Sequence, residues 1–551
     1  MIPQFTSQDP VCGLHTPASP NHPFKTAYMK YFDFHTHIIL KQLFDDNPNI
    51  DTRISPADVA GIPQHCSDLP NIIRAQIHQS QLAEIDEEVI IGVALYALES
   101  KLAREVIPLR KFLKKESQHK LSAELLEHIG NNTFKSFKDF TISRTLDSYL
   151  NAPSSFNVLS KQSFDAPLKK NTVNIFFVVE GCHSFVDTIN EVVLPGALFN
   201  TDEIIRNLDL LIARAPVLAV NLTHMQQSNL CNHAFGIQLT ENDPFYPLGK
   251  GLTDDGRKIV QALFDRGIHV DLKHMSYESR SELRNEIDAG RYSKVKPLLC
   301  THAGFTGIPF SQWPKYIKLT RSLDGVMYVE TGKTMQVKNM PHRPGAPTFN
   351  MTTINLFDEE ITWIVRNGGM IGLSMDRRIL GYVSRFDHEP TGRKDDGSIV
   401  DKEYISKLEW DAFGLPQRIE KPLPDDDCIT IEEVIASTEQ GNPQEFFYDH
   451  ILQHLKHFLQ VCVTAGIPLQ EAQHHITIGS DFDGLINPFA NVSNVEEMRV
   501  LKNYINVNFK IFLERLEDSK QWVGQLDVAQ FTEDLFYNNG FNFVKAFFQA
   551  K

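Results

Sequence analysis

Short apolar runs recur along the chain, and most of them end in a histidine or an acidic residue. Runs of four to eight residues that are rich in β-branched and aromatic side chains are typical of buried strands. Eight strands are predicted on this basis, at about 31–38, 89–97, 174–181, 217–224, 268–275, 296–302, 370–375 and 475–481.

Amphipathic helices are predicted between these strands. The segment TDDGRKIVQALFDRG (253–267) has apolar residues at helical spacing, a Thr-Asp start and a Gly end. The segment DEEITWIVRNGG (358–369) repeats this design, with a Gly pair as its C-cap. Because alternating strands and helices produce a parallel sheet, eight such units predict an α/β fold of the (β/α)8 TIM-barrel type.

Three stretches are too long for a single strand–helix unit. We expect a helical insertion at about 100–170, and further insertions at 303–357 and 376–445. The last two are placed on the active-site face, since loops there carry specificity. With an N-terminal arm at 1–30, the sequence predicts one hydrolase domain that spans 1–551.

Composition narrows the classes of partner. The 551 residues are 42% hydrophobic, which is enough for a sizeable core, and the net charge is −15. An acidic chain is not expected to bind nucleic acid or an anionic membrane. The seven cysteines form no CxxC motif, and no signal peptide or membrane-spanning run is visible, so we expect no membrane insertion and a cytoplasmic location.

Two histidines follow the first predicted strand, in YFDFHTH. Side chains two positions apart on a strand share a face, so His35 and His37 are placed to bind one ion. Two partly exposed loop histidines are the alternative interpretation.

Further candidate ligands end later strands. Glu180 follows the most apolar run, FFVVEG, where a carboxylate is costly unless it is paired or bound to metal. Its two oxygens could bridge two cations, although a structural pair with an arginine is the alternative, and Gly181 would allow a tight turn. His274 and His302 end successive strands; singly each could be a core histidine, but together they favour a metal site.

The last predicted strand ends in IGSDFDG. In a metal hydrolase, Asp481 stands where a carboxylate touches the metal and takes a proton from its water. Asp483 is a weaker candidate, because it can equally form a turn with Gly484. His224 ends the strand between those of Glu180 and His274, so it faces the same end of the barrel.

The motifs VEGCHS, VDLKHMS, THAG and GSDFDG, in this order, resemble the membrane dipeptidase (renal dipeptidase) family of zinc metallopeptidases, within the amidohydrolase superfamily. The resemblance covers roughly 30–551, apart from the insertions. It implies a binuclear site with two divalent metal ions, expected to be zinc, at the carboxyl ends of the strands. The implied ligands are His35, His37, Glu180, His274, His302 and Asp481.

In this resemblance Glu180 bridges the two ions; His35, His37 and Asp481 hold one, and His274 and His302 hold the other. His224 is implied to bind the scissile carbonyl oxygen. Asp481 is implied to carry the proton. The implied reaction is cleavage of a dipeptide amide bond by a metal-bridging hydroxide.

The chain departs from the family pattern in two places. The family has His-x-Asp where this chain has His-x-His, so His37 replaces an aspartate. The family also has an arginine that grips the substrate carboxylate, where 353–356 reads Thr-Ile-Asn-Leu. The candidate replacements are Arg321, Arg343, Arg377 and Arg378, of which Arg343 and Arg377 are carried forward as substrate-binding candidates.

The main functional prediction is therefore a zinc-dependent hydrolase of the dipeptidase type, with a small-molecule substrate. An enzyme of the same superfamily that acts on another amide, an ester or a lactone is the first alternative. A non-catalytic metal-containing binding protein is less favoured, because structural zinc sites are usually closed by four ligands. A homodimer is left open.

Overall fold

A computed structural model describes residues 30–47, 88–170, 172–187, 190–192, 196–235, 245–332, 349–381, 400–421, 443–484, 486–489 and 492–550. Its strands are β1 (Tyr31–Thr36), β2 (Val89–Leu95), β3 (Phe156–Val158), β4 (Val173–Val179), β5 (Asn190–Val192), β6 (Gly196–Leu198), β7 (Val217–Asn221), β8 (His269–Asp271), β9 (Leu299–Ala303), β10 (Ile317–Leu323), β11 (Val326–Gly332), β12 (Met370–Leu373), β13 (Val400–Ser406) and β14 (Ile476–Ile478).

Eight of these strands form one parallel sheet, in the order β1-β2-β4-β7-β8-β9-β12-β14. The sheet closes because the end of β1 meets the segment after β14: the His37 amide donates to the Phe482 carbonyl at 2.8 Å, and the Asp481 amide donates to the His35 carbonyl at 2.9 Å. The (β/α)8 barrel predicted from the sequence is confirmed.

The α-helices are α1 (Ser100–Val106), α2 (Ala123–Gly130), α3 (Asp147–Leu150), α4 (Thr201–Ile212), α5 (Asp254–Asp265), α6 (Tyr277–Asp288), α7 (Asp358–Arg366), α8 (Lys407–Ala412), α9 (Pro443–Thr464), α10 (Leu469–Ala472), α11 (Met498–Glu514), α12 (Val528–Glu533) and α13 (Asn539–Gln549). Two segments are π-helical, Ser136–Leu146 and Asp534–Asn538. Short 3-10 helices span Leu40–Phe44, Ile107–Phe112, Lys115–Lys120, Lys161–Phe164, Cys182–Phe185, Phe310–Tyr316, Gln473–His475 and Val523–Gln525.

Both helices predicted from punctuation are present. The Thr253 hydroxyl caps α5 by accepting a hydrogen bond from the Gly256 amide at 3.1 Å. Helix α7 ends just before Gly368, whose φ of +72° is the left-handed conformation that a glycine C-cap supplies. The loops of the barrel are therefore set by local sequence signals.

All eight predicted strands are found, but several are shorter than expected. Strand β8 is the clearest case, with three residues where 268–275 was predicted. The reason is local: His274 adopts a φ of +68°, which a strand cannot accommodate, so the chain turns before the predicted end. His274 consequently lies just beyond its strand, as do His37, Glu180 and Asp481, whereas His35 and His302 lie within β1 and β9.

The C-terminal segment packs against aromatic residues of the barrel. The rings of Phe32 and Phe176 stack 5.8 Å apart, and Phe34 meets Phe543 of α13 edge-on at 6.1 Å. Gly540 lies so close to the Phe32 ring that a Cβ there would sit 2.1 Å from it. Each fully buried phenylalanine stabilises the fold by about 1.5–3 kcal/mol, so α13 is part of the core rather than an appendage.

The insertions at 303–357 and 376–445 build a structure together. Strands β10 and β11 come from the first and β13 from the second, and they form a three-stranded antiparallel sheet with β11 at its centre. Apolar side chains from the insertion sheet and its flanking segments form a separate core cluster, which includes Ile308, Trp313, Met327, Val329, Ile405 and Trp410.

The remaining expectations divide. The segment 100–170 contains mainly helices, and its one described strand, β3, pairs with β4. Residues 1–29 of the predicted arm lie outside the described residues. Within the described ranges, no helix combines the length and the apolar character that crossing a bilayer requires. The four described cysteines (Cys182, Cys231, Cys300 and Cys462) are buried free thiols.

Candidate metal centre

The structure brings the predicted ligands together at the carboxyl ends of the barrel strands. They lie within or shortly after β1, β4, β7, β8, β9 and β14, and all are buried apart from Asp481, whose side chain is 15% exposed. The residues that meet there are His35, His37, Glu180, His224, His274, His302 and Asp481.

Glu180 is the hub of this cluster. Its Oε2 lies 3.0 Å from Nε2 of His37, while its Oε1 lies 3.1 Å from Nε2 of His274 and 3.4 Å from Nε2 of His302. The two carboxylate oxygens therefore face different histidines. This is the arrangement in which one carboxylate can serve two cations.

The imidazoles form two pairs around that carboxylate. The Nε2 atoms of His35 and His37 are 3.3 Å apart, and those of His274 and His302 are 3.2 Å apart. Ligands on a tetrahedral zinc at about 2.1 Å lie about 3.4 Å from one another. The donor atoms are thus spaced as ligands of shared cations, and the residues fit metal ions.

The hydrogen bonds of the Thr301 hydroxyl support this assignment. Its hydroxyl donates to Asp271 and lies 3.0 Å from Nδ1 of His35 and 3.1 Å from Nδ1 of His302. A hydroxyl has one proton and two lone pairs, so after donating to Asp271 it accepts from both rings. Both histidines then carry their proton on Nδ1, and both present an Nε2 lone pair to the centre.

The electrostatics also favour neutral imidazoles. Burial, and then the positive charge of His224, lower the pKa of His274 to about 3. Burial likewise lowers the pKa values of His37 and His302. Because only an unprotonated ring nitrogen binds a metal, these three side chains are prepared as ligands.

Asp481 completes the cluster with an oxygen that is available. Its Oδ1 lies 3.5 Å from Nε2 of His37 and has no hydrogen-bond partner among the described residues. Burial, and then the negative charge of Glu180, raise the pKa of this carboxyl well above its usual range. A raised proton affinity is what a carboxylate needs in order to accept a proton during a reaction.

His224 is held by a second carboxylate. Its Nδ1 donates to Oε1 of Glu99 at 2.6 Å, and the Tyr96 hydroxyl donates to the other oxygen. Burial alone would raise the pKa of Glu99, but the positive charges of His224 and His183 outweigh it and lower that pKa to about 2. The negative charges of Glu99 and Glu180 in turn outweigh burial and raise the pKa of His224. Its Nε2, 3.8 Å from Glu180, is thereby favoured as a hydrogen-bond donor toward the centre.

Backbone strain is concentrated at the cluster. His274 and Asp481 have φ values of +68° and +61°, a region that costs a non-glycine residue about 1–3 kcal/mol. Gly181 has a φ of +84°, and a Cβ there would lie 2.4 Å from the ring of His183. The tight turn expected at Gly181 is confirmed.

A pocket opens directly above the donors. Its volume is about 650 Å³ when the open space at its mouth is included. Its lining combines the donors with apolar side chains and two cations: His37, Leu40, Tyr96, Leu102, Glu180, His224, Met225, Lys273, His274, His302, Ile354, Asp376, Arg378, Ile379, Asp481, Gly484 and Ile486. Burial lowers the pKa of Lys273, and the charges of Asp481 and Asp376 oppose that shift.

The four arginines considered as substrate-binding candidates differ in their position relative to the pocket. Arg378 lines the pocket but is engaged by Asp376, with Nη2–Oδ2 at 2.8 Å, whereas Arg377 does not appear among the described lining residues. Arg321 is exposed on β10, and Arg343 lies outside the described residues. Asp483, the weaker ligand candidate, pairs instead with Lys41 at 3.1 Å.

The sequence did not identify the residues that support the ligands. Asp271 and Thr301 lie on barrel strands, and Lys273 and Glu99 follow β8 and β2 by a few residues; this position near a strand is the one signal that marks these supporting residues. Their roles depend on partners from other strands; His35 and Thr301, for example, are 266 positions apart.

No family model matches the chain, and neither does any curated protein. Among solved structures, the chain is similar to a metallo peptidase from Rhodobacter sphaeroides liganded with a phosphinate mimic of the dipeptide L-Ala-D-Ala, with 14% identity, 94% of this chain and 99% of that chain covered, and a TM-score of 0.46. It is also similar to the metallo peptidase dipeptidase AC, with 14% identity, 94% of this chain and 98% of that chain covered, and a TM-score of 0.45. A third similar structure is the probable dipeptidase PvdM from Pseudomonas aeruginosa, with 14% identity, 95% of this chain and 96% of that chain covered, and a TM-score of 0.46.

Each of these three proteins is described as a peptidase or a dipeptidase. The function proposed below rests on the geometry of the site.

Proposed function

We propose that the protein is a metal-dependent hydrolase that cleaves the amide bond of dipeptides, with two divalent ions, zinc by preference. The observation that carries the proposal is Glu180, whose Oε2 lies 3.0 Å from Nε2 of His37 and whose Oε1 lies 3.1 Å from Nε2 of His274, 3.4 Å from that of His302 and 3.6 Å from that of His35. Nitrogen-rich donor sets with carboxylate oxygens suit zinc better than magnesium or calcium.

Divalent ions held there would polarise the scissile carbonyl and lower the pKa of a coordinated water. The protein supplies the other functions. Asp481, with its unpartnered Oδ1, accepts the water proton and delivers it to the leaving amine. His224, held by Glu99, donates from Nε2 to the carbonyl oxygen as negative charge develops on it.

Pocket shape supports a small substrate. The space above the donors is bounded by Leu40 on the β1 side and by Ile354 and Ile379 from the two insertions. These apolar side chains border the space directly above the donors, where a small substrate would contact them. The insertions thus limit the substrate while the barrel supplies the donors.

The test is hydrolysis of a dipeptide panel, with L and D residues at the C-terminal position, by zinc-loaded protein and its Asp481→Asn variant. Removing the proton acceptor should lower kcat by about 100-fold or more. Metal content measured on the same samples should stay unchanged. Full turnover by Asp481→Asn would assign the proton transfer to another group.

One observation favours a second candidate, a hydrolase of another amide, an ester or a lactone. Ile354 stands where the resembled family has its carboxylate-binding arginine, and it lines the pocket as an apolar side chain. Turnover of esters or lactones without turnover of dipeptides would favour this candidate. Zinc-loaded protein that is inert toward all three classes would favour a binding protein.

A further inference from the structure

One side of the pocket is an aliphatic wall (Ile354 and Ile379) that takes no part in the mechanism above. Both isoleucines line the pocket, and each is 3% exposed. Together with Ala234 they form a small apolar cluster that is separate from the main core. Aliphatic side chains that border the space above the donors, and do not belong to the main core, are placed to contact an occupant of that space.

Hydrogen bonds connect the aliphatic wall to the backbone beside two donors. The Ala234 amide donates to the His274 carbonyl at 2.8 Å. The side-chain oxygen of Asn355 accepts from the Gly304 amide at 3.2 Å, two positions past His302. An occupant of the pocket that reaches His274 and His302 therefore has the wall beside it.

Polar groups next to the aliphatic wall are engaged within the protein. The Ile379 carbonyl accepts from Nδ2 of Asn355 at 2.8 Å. Arg378 reaches both oxygens of Asp376 at 2.8–3.2 Å through Nε and Nη2. Because these groups are already paired, the wall presents aliphatic carbon to the pocket rather than hydrogen-bonding atoms.

Helix α9 holds this wall in place. His450 and His454, one turn apart on the helix, both donate from Nε2 to the Leu380 carbonyl, at 2.7 and 2.8 Å. A carbonyl oxygen has two lone pairs, so it accepts both bonds at once. Leu380 directly follows Ile379, and the position of this isoleucine is therefore fixed before a substrate arrives. A preformed surface loses little conformational entropy when it binds.

We propose that the aliphatic wall binds an aliphatic side chain of the substrate, so that the pocket selects dipeptides with an apolar residue in this position. This inference rests on the proposed function and specifies its substrate class. Each methylene moved from water to the wall strengthens binding about fourfold. A charged or carboxamide side chain would lose its hydration there without gaining a hydrogen-bond partner, so it would bind more weakly.

A chain-length series on the zinc-loaded protein tests the contact. The first set consists of dipeptides with alanine at one position and glycine, alanine, 2-aminobutyrate, norvaline or norleucine at the other, in both orders, and kcat/KM is measured. The second set consists of unbranched alkyl hydroxamates, from acetohydroxamate to hexanohydroxamate. Hydroxamates bind zinc through two oxygens, so their affinity, measured by calorimetry, reports on the pocket whatever reaction the site performs.

In wild type, kcat/KM should rise about fourfold for each methylene added at one of the two dipeptide positions, and hydroxamate affinity should rise by a similar factor. Aspartate or lysine at that position should give a lower kcat/KM than norleucine. These results would show that an alkyl chain is bound in the pocket, and substitutions of the wall then locate it.

Replacement of Ile354 and Ile379 by threonine adds a hydroxyl to each side chain, and replacement of both by valine gives the same shape without it. The threonine pair should reduce the gain per methylene to about twofold or less, whereas the valine pair should keep most of it. Each single threonine variant should give an intermediate gain, which keeps the test open if the double variant does not fold. Ile364→Thr, at a buried position on α7, is the matched control and should lower Tm without changing the gain.

An equal gain per methylene in wild type and the threonine variants would overturn the proposal, since the alkyl chain would then contact other side chains. The absence of any gain in wild type, in both sets, would overturn it as well. If no dipeptide is hydrolysed but the hydroxamates show a gain that depends on the wall, the apolar subsite stands and the proposed reaction fails. If dipeptides are hydrolysed and neither set shows such a gain, only the apolar subsite fails.

Discussion

At the scale of single residues, the centre is defined by where protons are held. The Thr301 hydroxyl donates its one proton to Asp271 and accepts hydrogen bonds from Nδ1 of His35 and of His302. Both rings therefore carry their proton on Nδ1 and present Nε2 to the cluster. Glu99 does the opposite for His224, because it stabilises a proton on the ring. Chemically identical side chains are thus divided into metal donors and a hydrogen-bond donor by their outer partners.

Replacement of Thr301 by valine tests this division. Valine matches threonine in shape but cannot accept from the two rings, so the correct tautomers lose their support. We expect zinc affinity to fall about 10–100-fold, measured by competition with a chromophoric chelator. Thr301→Ser keeps the hydroxyl and should bind zinc nearly as tightly as wild type; a valine variant with wild-type affinity would contradict the role.

That these side chains meet could be predicted from the sequence, because each ends an apolar run and the carboxyl ends of parallel strands lie at one edge of the sheet; their role as ligands stays a prediction. Lys273 and Glu99 also end such runs, yet their side chains have many ordinary uses near a strand end. Their roles depend on contacts with side chains from distant parts of the chain; Glu99 and His224, for example, form a hydrogen bond although they are 125 positions apart. A single sequence does not contain that pairing.

At the scale of elements, two buried carboxyls hold the segment 400–421 in place: Glu403 bonds it to the segment 349–357, and Glu409 bonds it to loops of the barrel. Glu403 on β13 accepts from the amide and hydroxyl of Thr353, beside Ile354. Glu409 on α8 accepts from the Gly251 amide and the Ser276 hydroxyl. Burial raises the pKa of Glu403 to about 8 and that of Glu409 to about 7.

Glu403 should make stability depend on pH. Its pKa is raised from 4.5 to about 8, so the folded state holds a proton that the unfolded chain releases between these values. The free energy of unfolding therefore falls as pH rises across that window, by up to a few kcal/mol from this group. Glu403→Gln should flatten the slope between pH 5 and about 8, measured by urea unfolding at several pH values.

The test is the slope of the free energy of unfolding against pH, not its absolute value. Glutamine introduces an amide nitrogen, and its effect on the free energy of unfolding does not vary with pH. Parallel pH profiles of wild type and Glu403→Gln would show that the carboxyl is not protonated in the folded state. Glu420→Gln changes a carboxylate in the same insertion whose side chain is 66% exposed, and it is the matched control.

The barrel elements were predictable, and the insertion sheet was not. Barrel strands are buried on both faces and appear as continuous apolar runs such as NIFFVV. The strands β10, β11 and β13 read KLTRSL, MYVETG and VDKEYIS over most of their lengths, with polar residues at many positions. Such runs become strands because they pair with one another, a tertiary effect that local pattern does not show.

At the scale of the whole molecule, the donor cluster joins distant parts of the chain. Its members follow β1, β4, β8 and β14 or lie within β1 and β9, from His35 to Asp481. Ions bound there would link β1, β4, β8, β9 and β14, including the junction where β1 meets the segment after β14. Metal binding should therefore stabilise the global fold as well as the site.

Removal of metal tests this linkage. Zinc at a thousandfold excess over its Kd should stabilise the folded state by about 4 kcal/mol, which appears as a rise in Tm in calorimetry. Magnesium at the same concentration should raise Tm less, because it prefers oxygen ligands. Coincident unfolding curves for metal-free and zinc-loaded protein would show that the donors hold no ion in the folded state.

The antiparallel sheet of the insertions has a consequence for how the chain can be divided. Strand β12 and helix α7 lie in the chain between β11 and β13, so a barrel unit is enclosed between two partners of the other sheet. Neither insertion can be excised as a module, since loss of β13 leaves β11 with an open edge that can pair with other chains. The two sheets are interleaved along the chain, so evolution or engineering must change the antiparallel sheet and the barrel together.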